Sequence, residues 1–287
     1  MRLATIRTNQ GPRAAIFQAG RYIDLHATDP ALPASVRQLL EEGEATLKAA
    51  AQAARREKVV SFPADQVKLL PPIPDPHKIV CLGLNYADHA REGGASIPKD
   101  PVLFSKYSTA LIGQGDPIVL PPVSQEVDYE AELVLVVGKG GRNIPEDRGL
   151  DHVAGYTIGH DVSARDWQLK KDGKQWMVGK TFDTFAPTGP HLVTRDEIGD
   201  PHELGIRLRL NGETMQDSNT REMLFSIGRV LSYLSQVFTL QAGDLVFSGT
   251  PSGVGFTRKP PVFLKAGDVV EVEIEKLGVL RNSVVQG

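Results

Sequence analysis

Three carboxylates alternate with other residues just before an apolar run, and this pattern constrains the fold of the chain strongly. Asp128, Glu130 and Glu132 precede the run Leu133–Val137. Because successive side chains of a strand point to opposite faces, the pattern predicts a strand that carries all three acids on one face. Cα atoms on the same face of a strand lie roughly 6.5–7 Å apart, which allows two carboxylates to reach one ion.

Two interpretations of this acidic face are open from the residues alone. Clustered acids at the mouth of a buried strand repel one another and lose their hydration, and a divalent cation bound between them relieves both costs. The alternative is the solvated face of an edge strand, where the acids need no ion. The strand itself does not decide between the two.

Composition and charge bear on the expected partners and compartment. The chain has 287 residues, of which 41% are hydrophobic and 23% charged, with a formal net charge of −3 and a pI near 6.2. These values give no electrostatic reason to expect nucleic acid or an anionic membrane as partner. No run of about 20 apolar residues predicts a membrane span.

The sequence predicts a reducing compartment, by default the cytosol. The segment Met1–Arg7 lacks the apolar region of a signal peptide. Cys81 is the only cysteine, which suits a reducing compartment. Its apolar neighbours favour a buried structural thiol over a nucleophile.

Turn and linker residues predict two domains, 1–70 and 71–287. The first combines short β-like pieces with a helical stretch from about Ala34 to Arg56, which Gly43 interrupts. The proline-dense segment Leu70–Pro76 has the stiffness of a linker. Valine-rich runs bounded by Gly and Pro dominate the rest and indicate a closed or folded-over β architecture.

The elements predicted in the second domain are several strands and one helix. The strands are expected at 79–82, 118–120, 133–137, 153–158, 206–210, 245–247 and 269–274. The apolar stripe from Met223 to Val237 predicts a helix that packs on the core.

A further acid, Asp161, follows the predicted strand 153–158. At a change from strand to helix it could act as an N-cap or as a ligand held at the strand's end. If it faces Glu130 and Glu132, three carboxylate oxygens with waters suit the octahedral shell of Mg²⁺ or Mn²⁺. No cluster of Cys and His has the spacing of a zinc site.

His89 and Glu92 are three residues apart, which makes them neighbours on one helical turn. The carboxylate could then orient and polarise the imidazole as a general base. The pair Gly93-Gly94 would let such a turn swing as a lid. The alternative is an exposed loop with a chance histidine.

Two other segments carry residues that could contact a substrate. Lys180 is either a surface lysine or a group that neutralises a substrate carboxylate or enolate. The glycine-rich segment Ser248–Gly255 could bind an anion through its backbone N–H groups and the Thr250 hydroxyl. It lacks the Lys-Ser/Thr ending of a phosphate-binding loop, so nucleotide binding is not predicted.

Taken in order, these segments resemble the fumarylacetoacetate hydrolase family. The resemblance rests on Gly83…Asn85-Tyr86…His89…Glu92, Asp128–Leu133, Asp161–Asp166, Gly179–Asp183 and Gly249-Thr250-Pro251. It extends from about Pro71 to the C-terminus. Arg258–Lys265 also looks like the domain-containing protein 2 branch of that family.

The resemblance implies an α+β, mainly β fold, with a folded-over, β-roll-type mixed sheet as catalytic domain and a small N-terminal α/β domain. It also implies a homodimer and one Mg²⁺ or Mn²⁺ ion per subunit. Carried over by position, the metal ligands are Glu130, Glu132 and Asp161, the catalytic residues are His89, Glu92 and Lys180, and the substrate-binding residues are Gln168, Thr250 and Arg165. Asp128 is not a ligand in the family's pattern.

The implied reaction is hydrolysis of a C–C bond in a 2,4-dioxo, acylpyruvate-type carboxylate, with a chelated 2-oxo acid and an enolate intermediate. Decarboxylation or keto–enol tautomerisation of oxaloacetate are alternatives at the same site. A non-catalytic β-domain that binds a metal ion or a small acid is a remote third. The expected partner in every enzymatic case is a small 2-oxo or 2,4-dioxo acid.

Overall fold

The fold is built on a large mixed sheet and a smaller antiparallel-rich sheet, in a computed structural model that describes residues 1–94 and 96–287. The strands are β1 (Arg2–Thr8), β2 (Gly11–Gln18), β3 (Arg21–Asp24), β4 (Ser61–Pro63), β5 (Leu69–Leu70), β6 (Ile79–Gly83), β7 (Val102–Ser105), β8 (Leu111–Ile112), β9 (Ile118–Leu120), β10 (Val127–Asp128), β11 (Ala131–Val137), β12 (Val153–His160), β13 (Ser163–Ala164), β14 (Ala186–Thr194), β15 (Gly205–Leu210), β16 (Glu213–Asn219), β17 (Leu245–Phe247), β18 (Val269–Ile274) and β19 (Gly278–Gln286).

Helices are short and lie between these strands. The α-helices are α1 (Leu25–Thr28), α2 (Val36–Glu42), α3 (Glu44–Ala53), α4 (Ala87–Glu92), α5 (Arg165–Leu169), α6 (Trp176–Lys180) and α7 (Ile227–Val237). Short 3₁₀ helices span Ala64–Gln66, Ser108–Ala110, Glu146–His152, Arg195–Glu197, Thr220–Glu222 and Gly255–Thr257. No helix formed by residues 1–94 and 96–287 is long and apolar enough to cross a membrane.

The larger sheet passes through both predicted domains. Its strands follow the order β4-β3-β2-β1-β14-β12-β11-β17-β6-β7, and β5 and β8 pair with β1 and β14. The junction is the antiparallel pairing of β1 with β14, in which Leu3 lies opposite Leu192. One apolar core also joins Leu3 and Val36 to Val134 and Phe247. The sheet is thus continuous across residue 70, and the domain boundary there stays a prediction.

Strand β11 lies inside this sheet and confirms the predicted alternation. Val127, Tyr129 and Leu133 belong to one core, whereas Val134 belongs to the core on the other face. Both faces of the strand are buried. The prediction of one strand for all three acids is wrong, because Asp128 ends β10, Glu130 lies between the two strands and only Glu132 lies in β11. All three acids are buried, so they are not on a solvated strand face.

The smaller sheet has the order β16-β15-β18-β19-β9, and the short strands β10 and β13 pair separately. The predicted strands 118–120, 245–247 and 269–274 are confirmed at both ends. The predicted helical stretch 34–56 is split at Gly43, whose φ of 88° ends α2. Cys81 is buried, as predicted.

Candidate metal and active site

The site lies where the ends of several strands meet. β12 and β17 run antiparallel to β11 on its two sides, and β6 runs parallel to β17. The carboxyl ends of β6, β12 and β17 consequently lie at the edge of the sheet where β11 begins. The segments that follow these three ends carry His89 and Glu92 after β6, Asp161 after β12 and Thr250 after β17.

Oxygens of Glu130, Glu132 and Asp161 all lie within 4.8 Å of one another, and the three residues are buried. Strand pairing explains why they converge. The backbone N–H of Asp161 donates to the carbonyl of Glu130 over 2.9 Å, and Glu132 is paired with Gly159 across β11 and β12. The alternative that Asp161 is an N-cap is wrong, because α5 begins four residues later with Ala164 as its N-cap.

Lys180 lies among these acids and is almost fully buried, so the alternative of a surface lysine is wrong. Its Nζ donates to Glu130 Oε2 over 2.8 Å, to Asp161 Oδ2 over 2.7 Å and to Ser163 Oγ over 2.8 Å. Burial alone would lower the pKa of Lys180, but Asp161 and Glu130 outweigh it and the pKa is raised. Lys180 is therefore held as an ammonium ion.

Glu132 has no such counter-ion. Its Oε2 accepts a hydrogen bond of 2.8 Å from the backbone N–H of Gly249. Its Oε1 is buried and has no partner among the residues that the structure describes. Burial, followed by the charges of Asp161 and Glu130, raises the pKa of this carboxyl well above its usual range.

Glu132 Oε1 is thus a buried carboxylate oxygen that lacks a donor in the described part of the chain and belongs to a cluster with two other carboxylates. A hard divalent cation bound between the three carboxylates would satisfy it. The pKa of Glu130, by contrast, is lowered, because Lys180 and Arg165 outweigh the effect of burial. The donor set contains only oxygens, which suits Mg²⁺ or Mn²⁺ and not zinc.

Arg165 braces the acidic cluster from the other side. Its Nε donates to Asp128 Oδ2 over 2.9 Å, its Nη2 to Glu130 Oε1 over 2.6 Å and its Nη1 to Gln168 Oε1 over 2.9 Å. Asp128 also accepts from the backbone N–H groups of Gly255 and Phe256. Asp128 thus serves as the partner of Arg165 and stands outside the metal cluster.

The predicted pair His89 and Glu92 lies on α4, with 3.2 Å between His89 Nδ1 and Glu92 Oε2. The other oxygen of Glu92 accepts from the backbone N–H of Gly253 over 3.0 Å. Burial tends to raise the pKa of Glu92, but the hydrogen bonds from His89 and Gly253 outweigh it and the pKa is lowered.

Thr250 lies in the loop after β17 and accepts a hydrogen bond of 2.9 Å from Gln216 Nε2. Because the hydroxyl accepts from Gln216, its proton is free to donate elsewhere. Gln216 is buried, also donates to the carbonyl of Pro251, and accepts from the backbone N–H of Ala131 through Oε1. This glutamine ties the loop to the start of β11.

The sequence analysis missed Lys106 and Gln216. Lys106 Nζ lies 2.6 Å from Asp161 Oδ1 as an ion pair with poor hydrogen-bond alignment. It donates to the carbonyls of Val162 over 3.1 Å and Phe185 over 2.7 Å, and also to that of Lys180. Neither residue belongs to a recognisable motif, and only tertiary structure brings them to the site.

Residues 78–285 match the sequence model described as fumarylacetoacetate (FAA) hydrolase C-terminal. The chain belongs to the fumarylacetoacetate hydrolase family. It is 50% identical over 289 residues to oxaloacetate tautomerase fahd2, mitochondrial, of Xenopus laevis, which covers 99% of this chain and 90% of that protein. It is 49% identical to the human oxaloacetate tautomerase FAHD2A, mitochondrial, with 99% and 92% covered. These relatives belong to the branch that the sequence indicated.

A solved structure of a similar protein, determined as a metal complex, supports the fold. Maleylpyruvate hydrolase from Sphingobium sp. SYK-6, in complex with manganese(II) ion and pyruvate, superimposes with a TM-score of 0.83. It is 32% identical, and the alignment covers all of both chains. The predicted fold class is therefore confirmed.

The predicted cytosolic location is wrong by the same comparisons. The Xenopus and human relatives are both named as mitochondrial proteins. A single cysteine suits any reducing compartment and does not distinguish one such compartment from another.

Proposed function

We propose that this protein is a metal-dependent oxaloacetate keto–enol tautomerase. The observation that carries the proposal is the convergence of Glu130, Glu132 and Asp161 within 4.8 Å, and the same chain has a histidine, His89, whose Nδ1 is hydrogen-bonded to Glu92. Identity of about 50% over nearly the full length to proteins named oxaloacetate tautomerase supports tautomerisation over the acylpyruvate hydrolysis expected from the sequence.

Tautomerisation of oxaloacetate moves one proton between C3 and the 2-oxo oxygen. In this proposal, His89 takes or returns the proton at C3 through Nε2, because Glu92 holds Nδ1. Lys180 stabilises the negative charge that develops on the 2-oxo oxygen. Its three N–H groups are bonded to Glu130, Asp161 and Ser163, so one of these bonds has to be exchanged for one to the substrate.

The acidic cluster fits a divalent cation because Glu132 Oε1 has no other partner in the part of the chain described. Glu130, Glu132 and Asp161 would hold Mg²⁺ or Mn²⁺. When bound, the ion would supply Lewis-acid polarisation of the 2-oxo group and a template for the 1-carboxylate. Gln168 and Thr250 are proposed to orient the substrate by hydrogen bonds, and Arg165 holds Gln168 in place.

The test follows the enol of oxaloacetate by its ultraviolet absorbance, with pyruvate measured in parallel. The wild type, stripped with chelator and reloaded with Mg²⁺ or Mn²⁺, is expected to accelerate interconversion only when reloaded. Glu132→Gln is expected to fall to the uncatalysed rate, because it removes a charged ligand. Glu44→Gln, which changes an exposed carboxylate on α3, is the matched control. Unchanged turnover by Glu132→Gln would refute the proposal.

Hydrolysis of an acylpyruvate is the second candidate, and the His89–Glu92 pair is the observation that favours it. A histidine oriented by a carboxylate can deprotonate water for attack on a distal carbonyl. The similar structure from Sphingobium is named a maleylpyruvate hydrolase. Pyruvate release from acetylpyruvate without enol conversion of oxaloacetate would favour this candidate, and pyruvate release from oxaloacetate would favour the decarboxylase.

We also propose a homodimer as the assembly. This expectation comes from the family resemblance. Sedimentation of the purified protein at the concentration used for the assays tests it directly.

A further inference from the structure

Helix α4, which carries His89 and Glu92, is too short to be stable by itself. It spans Ala87–Glu92, and its N-cap residue, Tyr86, makes no side-chain capping hydrogen bond. Isolated helices shorter than about 12–15 residues are marginal in water. The position of His89 therefore depends on contacts between α4 and the rest of the protein.

Asp88 makes such contacts with two other segments. Its Oδ2 accepts from Ser218 Oγ over 2.7 Å and from Ser252 Oγ over 3.2 Å. Ser218 belongs to β16 and Ser252 to the glycine-rich loop after β17. The other oxygen, Oδ1, accepts from the backbone N–H of His89 over 2.8 Å. One half-buried carboxylate thus joins the start of α4 to two segments more than 100 residues away.

The same loop holds the end of α4. Gly253 donates its backbone N–H to Glu92 Oε1, directly after Ser252 donates its hydroxyl to Asp88. The loop therefore contacts the first and the last turn of the helix, and His89 lies between the two contacts. A third contact, between Arg91 and Glu222, is an ion pair in which the Arg91 side chain is 71% exposed. Exposed pairs of this kind contribute little.

We propose that Asp88 is a positioning residue that holds α4 against Ser218 and Ser252 and thereby sets the direction of the His89 imidazole. The inference rests on the proposed function in one respect, that His89 moves the proton. It excludes direct substrate contact by Asp88, since both carboxylate oxygens are already bonded within the protein. If Asp88 acted only within α4, its contacts would be limited to the bond from the His89 N–H to Oδ1. The bonds from Ser218 and Ser252 to Oδ2 show that it also joins α4 to other segments.

The experiment compares Asp88→Ala with the double variant Ser218→Ala/Ser252→Ala, which leaves the sequence of α4 intact. Arg91→Gln is the matched control on the same helix. Hydrogen exchange of the amides of residues 87–92 reports the local stability of α4. The kcat and KM for oxaloacetate report whether the His89 imidazole is correctly oriented. The holo protein is used throughout.

Asp88→Ala and the double variant Ser218→Ala/Ser252→Ala are both expected to raise amide hydrogen exchange in α4 at least about tenfold. They are expected to lower kcat about 10- to 100-fold, the effect of misplacing a reacting group by roughly 1 Å, with a smaller change in KM. Arg91→Gln is expected to resemble the wild type in both. Faster exchange with unchanged kcat, or unchanged exchange, would overturn the inference.

Failure of the proposed function gives a different result. If the wild type has no tautomerase activity but amide exchange in α4 is faster in the double variant, the proposed reaction is refuted and the role of Asp88 in holding α4 is supported. If the wild type is active and the double variant is equally active with slow exchange in α4, the role of Asp88 is refuted and the proposed reaction is supported.

Discussion

Lys180 Nζ donates a hydrogen bond of 2.7 Å to Oδ2 of Asp161, and both side chains are buried. The same ammonium donates to Glu130, so two of the three clustered acids are already neutralised by the protein itself. Glu132 is the exception, since among the described residues it accepts only from the N–H of Gly249. A divalent cation held by the three acids would therefore share Glu130 and Asp161 with Lys180.

Lys180→Met is expected to destabilise the metal-free protein by about 3–5 kcal/mol, because it leaves buried charges without their partner. Urea unfolding in the presence of a chelator measures this. Adding Mg²⁺ is expected to recover more stability in the variant than in the wild type, since the ion takes over the neutralisation. Lys170→Met, which removes an exposed partner of Glu126, is the control. Equal stabilisation of the variant and the wild type by Mg²⁺ would contradict this account.

Arg165→Lys is expected to lower stability by at least about 1–3 kcal/mol although it keeps the charge. The guanidinium reaches Asp128, Glu130 and Gln168 through three different nitrogens, and a single ammonium cannot replace that fork. KM for oxaloacetate is expected to rise, because Gln168 loses the group that holds it. Urea unfolding and steady-state kinetics measure the two effects. If Arg165→Lys has wild-type stability, the three hydrogen bonds of the guanidinium are not needed for stability.

Gly249→Ala is expected to lower both stability and cation affinity. Gly249 has a φ of 93°, and an added Cβ would lie 3.0 Å from Cβ of Asn85. The left-handed backbone alone costs about 1–2 kcal/mol for a residue with a side chain. Moving this backbone also disturbs the N–H that binds Glu132. Calorimetric titration of the metal-free protein with Mn²⁺ reports the affinity.

Gly267→Ala is the matched control for that substitution. Gly267 has a φ of 95° in an exposed turn, and an added Cβ meets nothing within 4 Å. It carries the same backbone cost without any contact to the site. If both variants lose Mn²⁺ affinity equally, the loss comes from general destabilisation and the role given to Gly249 is wrong.

Local alternation in the sequence was sufficient to predict that Glu130 and Glu132 lie together at the start of β11, because side-chain direction in an extended chain repeats every two residues. It could not separate Asp128 from the other two acids. The fate of Asp128 depends on Arg165, Gly255 and Phe256, which lie 37 to 128 residues away in the chain. Only the family resemblance removed Asp128 from the ligand set.

Residues missed by the sequence analysis are those whose burial depends on tertiary pairing. Lys106 follows β7, and it is buried because its side chain reaches Asp161 and the carbonyls of Val162 and Phe185, which are 55 to 79 residues away in the chain. Gln216 lies in β16, whose polar sequence gives no sign of a buried side chain. Strand β14 was missed because Pro187, Gly189 and Pro190 interrupt its apolar pattern.

His191 on β14 predicts an acid-sensitive contact with the N-terminal strands β2 and β3 of the same large sheet. The Nε2 of His191 and the hydroxyl of Tyr22 share a hydrogen bond of 2.8 Å, and the Phe17 ring stacks on the imidazole at 4.9 Å. Burial, with a smaller effect of Arg2, lowers the pKa of His191 from 6.5 to about 4. The native state thus binds this proton less readily than the unfolded chain.

Since the unfolded state binds more protons between pH 6.5 and 4, stability is expected to fall as the pH falls through this window. The contribution of His191 amounts to about 3 kcal/mol over the window, with a slope of up to about 1.4 kcal/mol per pH unit. Urea unfolding of His191→Gln at several pH values is expected to show a smaller slope of the unfolding free energy against pH. The reduction corresponds to about one bound proton. Some slope remains, because burial also lowers the pKa of His160 to about 3. If the pH dependence of stability is unchanged in the variant, His191 titrates alike in the folded and the unfolded state, and the role given to it is wrong.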